Sequence, residues 1–192
     1  KLIIYLGSIP SKLKLQSWQA PIIAGCTCGL CGMIFSDILG LGTETLISVI
    51  TNEQQLTYLF ALLVGKLVLT SICIGFGFFG GTFSPALFLG GVLGAMIFQL
   101  PITSINTDLL SVLAVSGMAA VSSSVIGAPI TAIILVLELT GSYEYAIAAT
   151  FPIVICSFIT SRTFGNSLFD NQLISRVVAI TKGWEQLLLN EV

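Results

Sequence analysis

The sequence predicts an all-α membrane protein built from full-length and half-length helices, and three observations lead there. The 192 residues are 55% hydrophobic and 8% charged, whereas a soluble domain carries about a quarter charged residues. Mean hydropathy is +1.03, so water is not the main solvent. Apolar segments long enough to cross a bilayer alternate with segments of roughly half that length, with glycine or proline at the breaks. Backbone polar groups in hydrocarbon must find partners inside the protein, which selects helices for such runs.

Residues 1–16 read as a mixed, basic, cytoplasmic lead-in. Residues 17–36 are apolar, and at about 1.5 Å per residue they are expected to span a hydrocarbon core of about 30 Å. Residues 37–42 turn on glycine, and Thr43-Glu44 are expected to cap a short segment, 45–50, too brief to cross alone. Residues 56–75 form a second full-length candidate, interrupted by Lys66. Residues 75–81 break regular structure ahead of a helix that starts near Phe83. Its Gly90, Gly91 and Gly94 are small enough to let helix backbones pack closely in lipid. Residues 109–125 are apolar but dotted with serine and glycine. Gly127-Ala128-Pro129 restarts the chain into 130–139, again short of a span. Residues 143–161 are another candidate span. Residues 163–166 lead into an amphipathic stretch, 167–180, that closes a membrane unit of residues 17–180 ahead of a cytoplasmic tail at 181–192.

Gly80-Gly81-Thr82-Phe83-Ser84-Pro85 is the most informative junction. A helix that begins inside a bilayer leaves its first N–H groups without intrahelical partners, and a stranded donor there costs several kcal/mol. An anion fits such a place, because the helix start carries about half a positive charge and paired glycines allow close approach. Pro85 suits the first turn, where its missing N–H is not needed.

Charge and residue usage exclude other classes. A net charge of −2 without a long basic run predicts no nucleic-acid partner, and the absence of His removes the usual metal ligand and pH switch. No enzyme is expected, since no Ser or Cys nucleophile has a recognisable base partner. No cofactor or metal is expected either, and the five Cys read as buried small hydrophobes. Asp37, Glu44, Glu53 and Asp108 read as solvated loop charges. Glu138 reads as a structural hydrogen-bond partner or a residue near an aqueous edge. Lys66 has two readings, a source of positive potential near an anion path or a side chain snorkelling to a helix end. Lys1, Lys12 and Lys14 precede the first span and Arg162, Arg176 and Lys182 follow the last, so both ends are expected to face the cytoplasm. Without an initiator Met, the chain is expected to be part of a longer polypeptide.

Gly81-Thr82-Phe83-Ser84-Pro85 resembles the GxFxP motif of the ClC family of chloride channels and proton-coupled chloride transporters. Three further stretches resemble that family in order and spacing: Ser116-Gly117-Met118-Ala119-Ala120, Gly127-Ala128-Pro129-Ile130-Thr131 and Leu135-Val136-Leu137-Glu138-Leu139-Thr140-Gly141. The resemblance implies the second of two inverted halves of a ClC subunit, with broken and tilted helices. It implies an integral membrane protein that works with the N-terminal half of the same subunit and pairs as a homodimer. It also implies that chloride, the transported ion, is held by the backbone N–H groups of Thr82 and Phe83, with Gly80, Gly81, Ser84 and Pro85 as motif support. The family's gating glutamate and proton-relay carboxylate belong to the first half, so Glu138 is not expected to serve coupling. The family's phenolic ion ligand in the last membrane helix aligns with Phe169, which offers a ring edge in place of an O–H; a different register would bring Tyr143 or Tyr145 near instead. The rivals are half of a different inverted-repeat transporter, and a structural subunit without a pathway, whose Thr82 and Phe83 N–H groups would bond protein carbonyls.

Overall fold

The computed structural model describes residues 5–6, 19–51, 54–78, 80–99 and 108–164, and among them every regular element is helical. The main helices are α1 (Gln19–Ile34), α2 (Thr43–Thr51), α3 (Leu56–Gly75), α4 (Phe83–Phe98), α5 (Asp108–Ile126), α6 (Pro129–Thr140) and α7 (Tyr143–Phe164). Three of them carry stretches long and apolar enough to cross a membrane by length and composition: Leu56–Gly75, Leu109–Ile126 and Tyr143–Thr163. The breaks fall where glycine and proline stand. Pro129 opens α6 in its first turn, and Gly141 closes it in the left-handed conformation, its N–H on the Leu137 carbonyl.

Two expectations need correction. The first apolar stretch is helical over the 16 residues Gln19–Ile34, about 24 Å, so its described part falls short of a full span. Phe35 leaves helical geometry at φ −143° and ψ 81°, and Ser36–Ile38 make a single 3-10 turn. Thr43 and Glu44 are helical rather than a cap ahead of residue 45, and Thr45 reaches back to the Asp37 carbonyl at 3.4 Å.

α4 is the axis of the packing. It lies against α2, α3 and α5, and α5 in turn packs against α6 and α7. Phe88, Leu59, Leu62, Val49 and Val92 form one core between α2, α3 and α4. Ala119, Ala132, Val136, Ala149 and Ile153 form a second between α5, α6 and α7. The second core is built on alanine because lipid offers no hydrophobic drive between helices, and dispersion grows as backbones approach.

The α4–α5 crossing takes this furthest. A Cβ on Gly90 would run into the Gly117 carbonyl, one on Gly94 into the Leu113 carbonyl, and one on Gly117 into the Gly90 carbonyl. The two backbones touch, as the glycines of α4 predict.

Candidate anion site

α4 begins at Phe83, with Thr82 as its flanking residue. The first bond of the helix runs from the Ala86 N–H to the Thr82 carbonyl at 3.2 Å. Pro85 has no N–H. Among the described residues, no backbone carbonyl or side chain accepts from the Thr82, Phe83 or Ser84 N–H groups. Three donors at the positive end of a 16-residue helix dipole are therefore available to a ligand.

The backbone ahead of this helix start borders open space. A Cβ on Gly80 or Gly81 would meet nothing within 4 Å, and neither glycine has a positive φ. Neither packing nor backbone strain within the described residues calls for glycine there, which leaves room for a group to approach the peptide chain. The space belongs to a cavity of about 220 Å³ bordered by Gly80, Gly81 and Pro85 on one side and by Gly40, Lys66 and Thr70 on another. Such a volume holds an ion with several waters, since a water occupies about 30 Å³.

Lys66 is the cation in this wall. Its residue is only 3% exposed, so the side chain does not snorkel to a helix end. Its ammonium donates to the Ile38 carbonyl at 2.8 Å and the Gly40 carbonyl at 2.7 Å, and sits 4.9 Å from the centre of the Phe88 ring. Charge-assisted bonds and the ring face offset the cost of burying it. The partner carbonyls come from a turn that needs glycine: Gly40 and Gly42 have φ of +58° and +71°, and Phe88 leaves no room for a Cβ on Gly42. Lys66 thus holds the turn between α1 and α2 against α3 and keeps positive charge beside the cavity.

The residues singled out in the sequence divide clearly. Gly80, Gly81, Thr82, Phe83, Ser84 and Pro85 come together at the head of α4, and Gly80, Gly81 and Pro85 line the cavity. Thr82 is buried, and its hydroxyl has no hydrogen-bond partner among the described residues. Phe169 lies outside the described residues. Tyr145 bonds Ser111 on α5 at 3.0 Å, and Tyr143 is exposed.

Asp37 is not a free loop charge, because Tyr58 donates to its carboxylate at 2.7 Å. Glu44 and Glu138 are exposed, Glu53 lies outside the described residues, and Asp108 is the first residue of α5. The cysteines are not buried hydrophobes either: Cys26 and Cys31 are exposed, and Cys28, Cys73 and Cys156 are partly accessible. Sequence reading missed the carbonyl pair at Ile38 and Gly40. The glycines at 40 and 42 were its signal, although nothing local joined them to a lysine 26 residues further along.

Residues 4–162 match the family described as voltage gated chloride channel. The chain belongs to that family. Among curated relatives, it is similar to the H(+)/Cl(-) exchange transporter ClcA of Vibrio parahaemolyticus, 30% identical over 161 residues, which cover 81% of this chain and 34% of that protein. The proteins of the same name from Vibrio campbellii and Vibrio cholerae are 30% identical over 164 residues and 29% identical over 171 residues. They cover 81% and 86% of this chain, and 34% and 35% of their own lengths. The chain spans about a third of the length of the curated relatives it matches. The match agrees with the ordered motifs from Gly81 to Gly141. Together with the three apolar spans, it makes this an integral membrane protein.

Proposed function

We propose that this chain forms the second half of a subunit that moves chloride across a membrane, with the ion held by the backbone N–H groups of Thr82 and Phe83. The observation that carries the reading is the head of α4, where these donors have no acceptor among the described residues and lie next to two glycines facing open space. Amide dipoles suit transport, because an ion held by partial charges leaves more readily than one held by a full ion pair. Lys66 raises the potential of the cavity while its two carbonyl bonds keep it from closing on the ion. No covalent step is involved. The relatives' names favour exchange of chloride for protons, with the coupling carboxylates in the first half.

The same reading assigns residues 17–180 to the membrane, both ends to the cytoplasm, and the missing ion ligands to the N-terminal half and to Phe169. It also assigns a homodimer interface. α6 and α7 leave Ile130, Ile134, Tyr143, Ile147 and Phe151 exposed on faces not covered within the chain, and a second copy would cover much of that surface.

Isothermal titration of the full-length protein with chloride tests the site. Thr82 has φ −83°, near the range of proline, so Thr82→Pro deletes one amide donor at little backbone cost. A hydrogen bond to a charge is worth about 1.5–3 kcal/mol, so chloride should bind about ten- to a hundredfold more weakly. Thr82→Val keeps the amide and should bind chloride as the parent does. Equal affinity in all three proteins would refute the site.

A further inference from the structure

Beyond its two carbonyl bonds, the Lys66 ammonium has a further N–H to place, and an aromatic ring closes that side of it. Phe88 is fully buried, and its ring lies under the Lys66 nitrogen at 4.9 Å from the ring centre. A Cβ on Gly42 would stand 2.7 Å from two carbons of this ring and 3.6 Å from the Lys66 Nζ. Turn, ammonium and ring thus share one packed spot. Phe88 belongs to α4, five residues after Phe83, or about 7.5 Å along the axis, and helical side chains lean toward the helix start. The ring therefore joins the cation of α3 to the first turns of the helix whose head offers the free amides. An aliphatic side chain would fill the same core, but only an aromatic face attracts a cation.

We propose that Phe88 is a positioning residue for anion transport, whose ring holds the Lys66 ammonium in place and keeps it from pairing directly with an ion at the head of α4. This role rests on the chloride reading above. An ammonium rides on a long flexible stem, so without the ring it can swing toward an anion beside the first turn of α4. Such a pair, formed out of bulk water, holds the ion longer than amide dipoles do. With the ring in place, Lys66 supplies potential without contact, and the ion leaves quickly.

The test replaces Phe88 in the full-length protein with mono-, di- and trifluorinated phenylalanine by nonsense suppression. Fluorine withdraws electron density from the ring face in steps, while the ring still fills its place in the core. Each step should loosen the ammonium, so chloride should bind progressively more tightly in calorimetric titration, by up to about thirtyfold at full loss of the contact. Chloride flux from liposomes should split accordingly: half-saturating chloride falls, and the maximal rate falls with it. A ring that merely fills space would move neither in step with fluorination. In Lys66→Met, which has no ammonium to release, the same fluorinated residues should leave chloride affinity where it was. The trend in the lysine-bearing protein decides on its own where Lys66→Met does not fold. Unchanged affinity across the series, or an equal trend in Lys66→Met, would overturn the role of Phe88. Chloride binding that is still weakened by Thr82→Pro would then leave the anion site standing, whereas a parent protein that binds no chloride would remove both.

Discussion

Gly90→Ala is the sharpest probe of the helix crossing that aims α4. A methyl at this position would collide with the Gly117 carbonyl and lie 2.8 Å from the Met118 Cα. Both obstacles are backbone of a second helix, so no rotamer change relieves them, and α4 and α5 must separate. Overpacking of this kind costs about 1–3 kcal/mol, and the rigidity of both partners puts the cost at the upper end. Alanine regains up to about 1 kcal/mol of helix propensity, which leaves a net loss of about 2 kcal/mol.

Gly29→Ala is the control, since a Cβ there meets nothing within 4 Å; it should keep the propensity gain and stabilise slightly. Unfolding of the full-length protein in detergent micelles, followed by circular dichroism, should therefore separate the two variants by about 3 kcal/mol. The head of α4 lies two turns from Gly90, about 10 Å along the helix, so the same shift should weaken chloride binding in Gly90→Ala. Equal stability of the two variants would show that α4 and α5 do not touch at Gly90 and Gly117.

Lys66→Met leaves the Ile38 and Gly40 carbonyls without their donor; at about 1–3 kcal/mol for each unpaired acceptor, thermal unfolding should move clearly downward, and Lys66→Arg should recover part of the loss. Tyr58→Phe removes the donor to the Asp37 carboxylate and should cost about 1.5–3 kcal/mol, whereas Phe151→Tyr on the exposed face of α7 should leave the same unfolding curve in place. Thr82→Val replaces a buried hydroxyl that has no partner among the described residues with a methyl, so it should stabilise the protein by about 1 kcal/mol; destabilisation would show that the hydroxyl has a partner. Phe169→Tyr restores a phenolic donor and should tighten chloride binding by up to about a hundredfold in calorimetric titration; unchanged affinity would refute the assignment of Phe169 to the site.

The order of residues alone sets where the chain breaks. Apolar runs interrupted at Gly80-Gly81, Gly127-Pro129 and Gly141 become helices that start or stop at those residues, because loss of an N–H or a left-handed backbone is a local property. The donors at the head of α4 were legible for the same reason, since unpaired N–H groups follow from a helix start alone. The tight seam between α4 and α5 was legible in part, as small residues at helical spacing announce a close partner without naming it.

Which helix that partner is, and what the charged residues do, emerged from the packing of the helices. Lys66 read equally well as a snorkelling side chain, and Asp37 as a solvated one. Their hydrogen bonds to the turn and to Tyr58 join residues 21 to 28 positions apart. Such pairings depend on how helices pack, and many arrangements satisfy the same apolar pattern. A residue's position along the chain sets its backbone, but its neighbours across space set its charge environment and its chemistry.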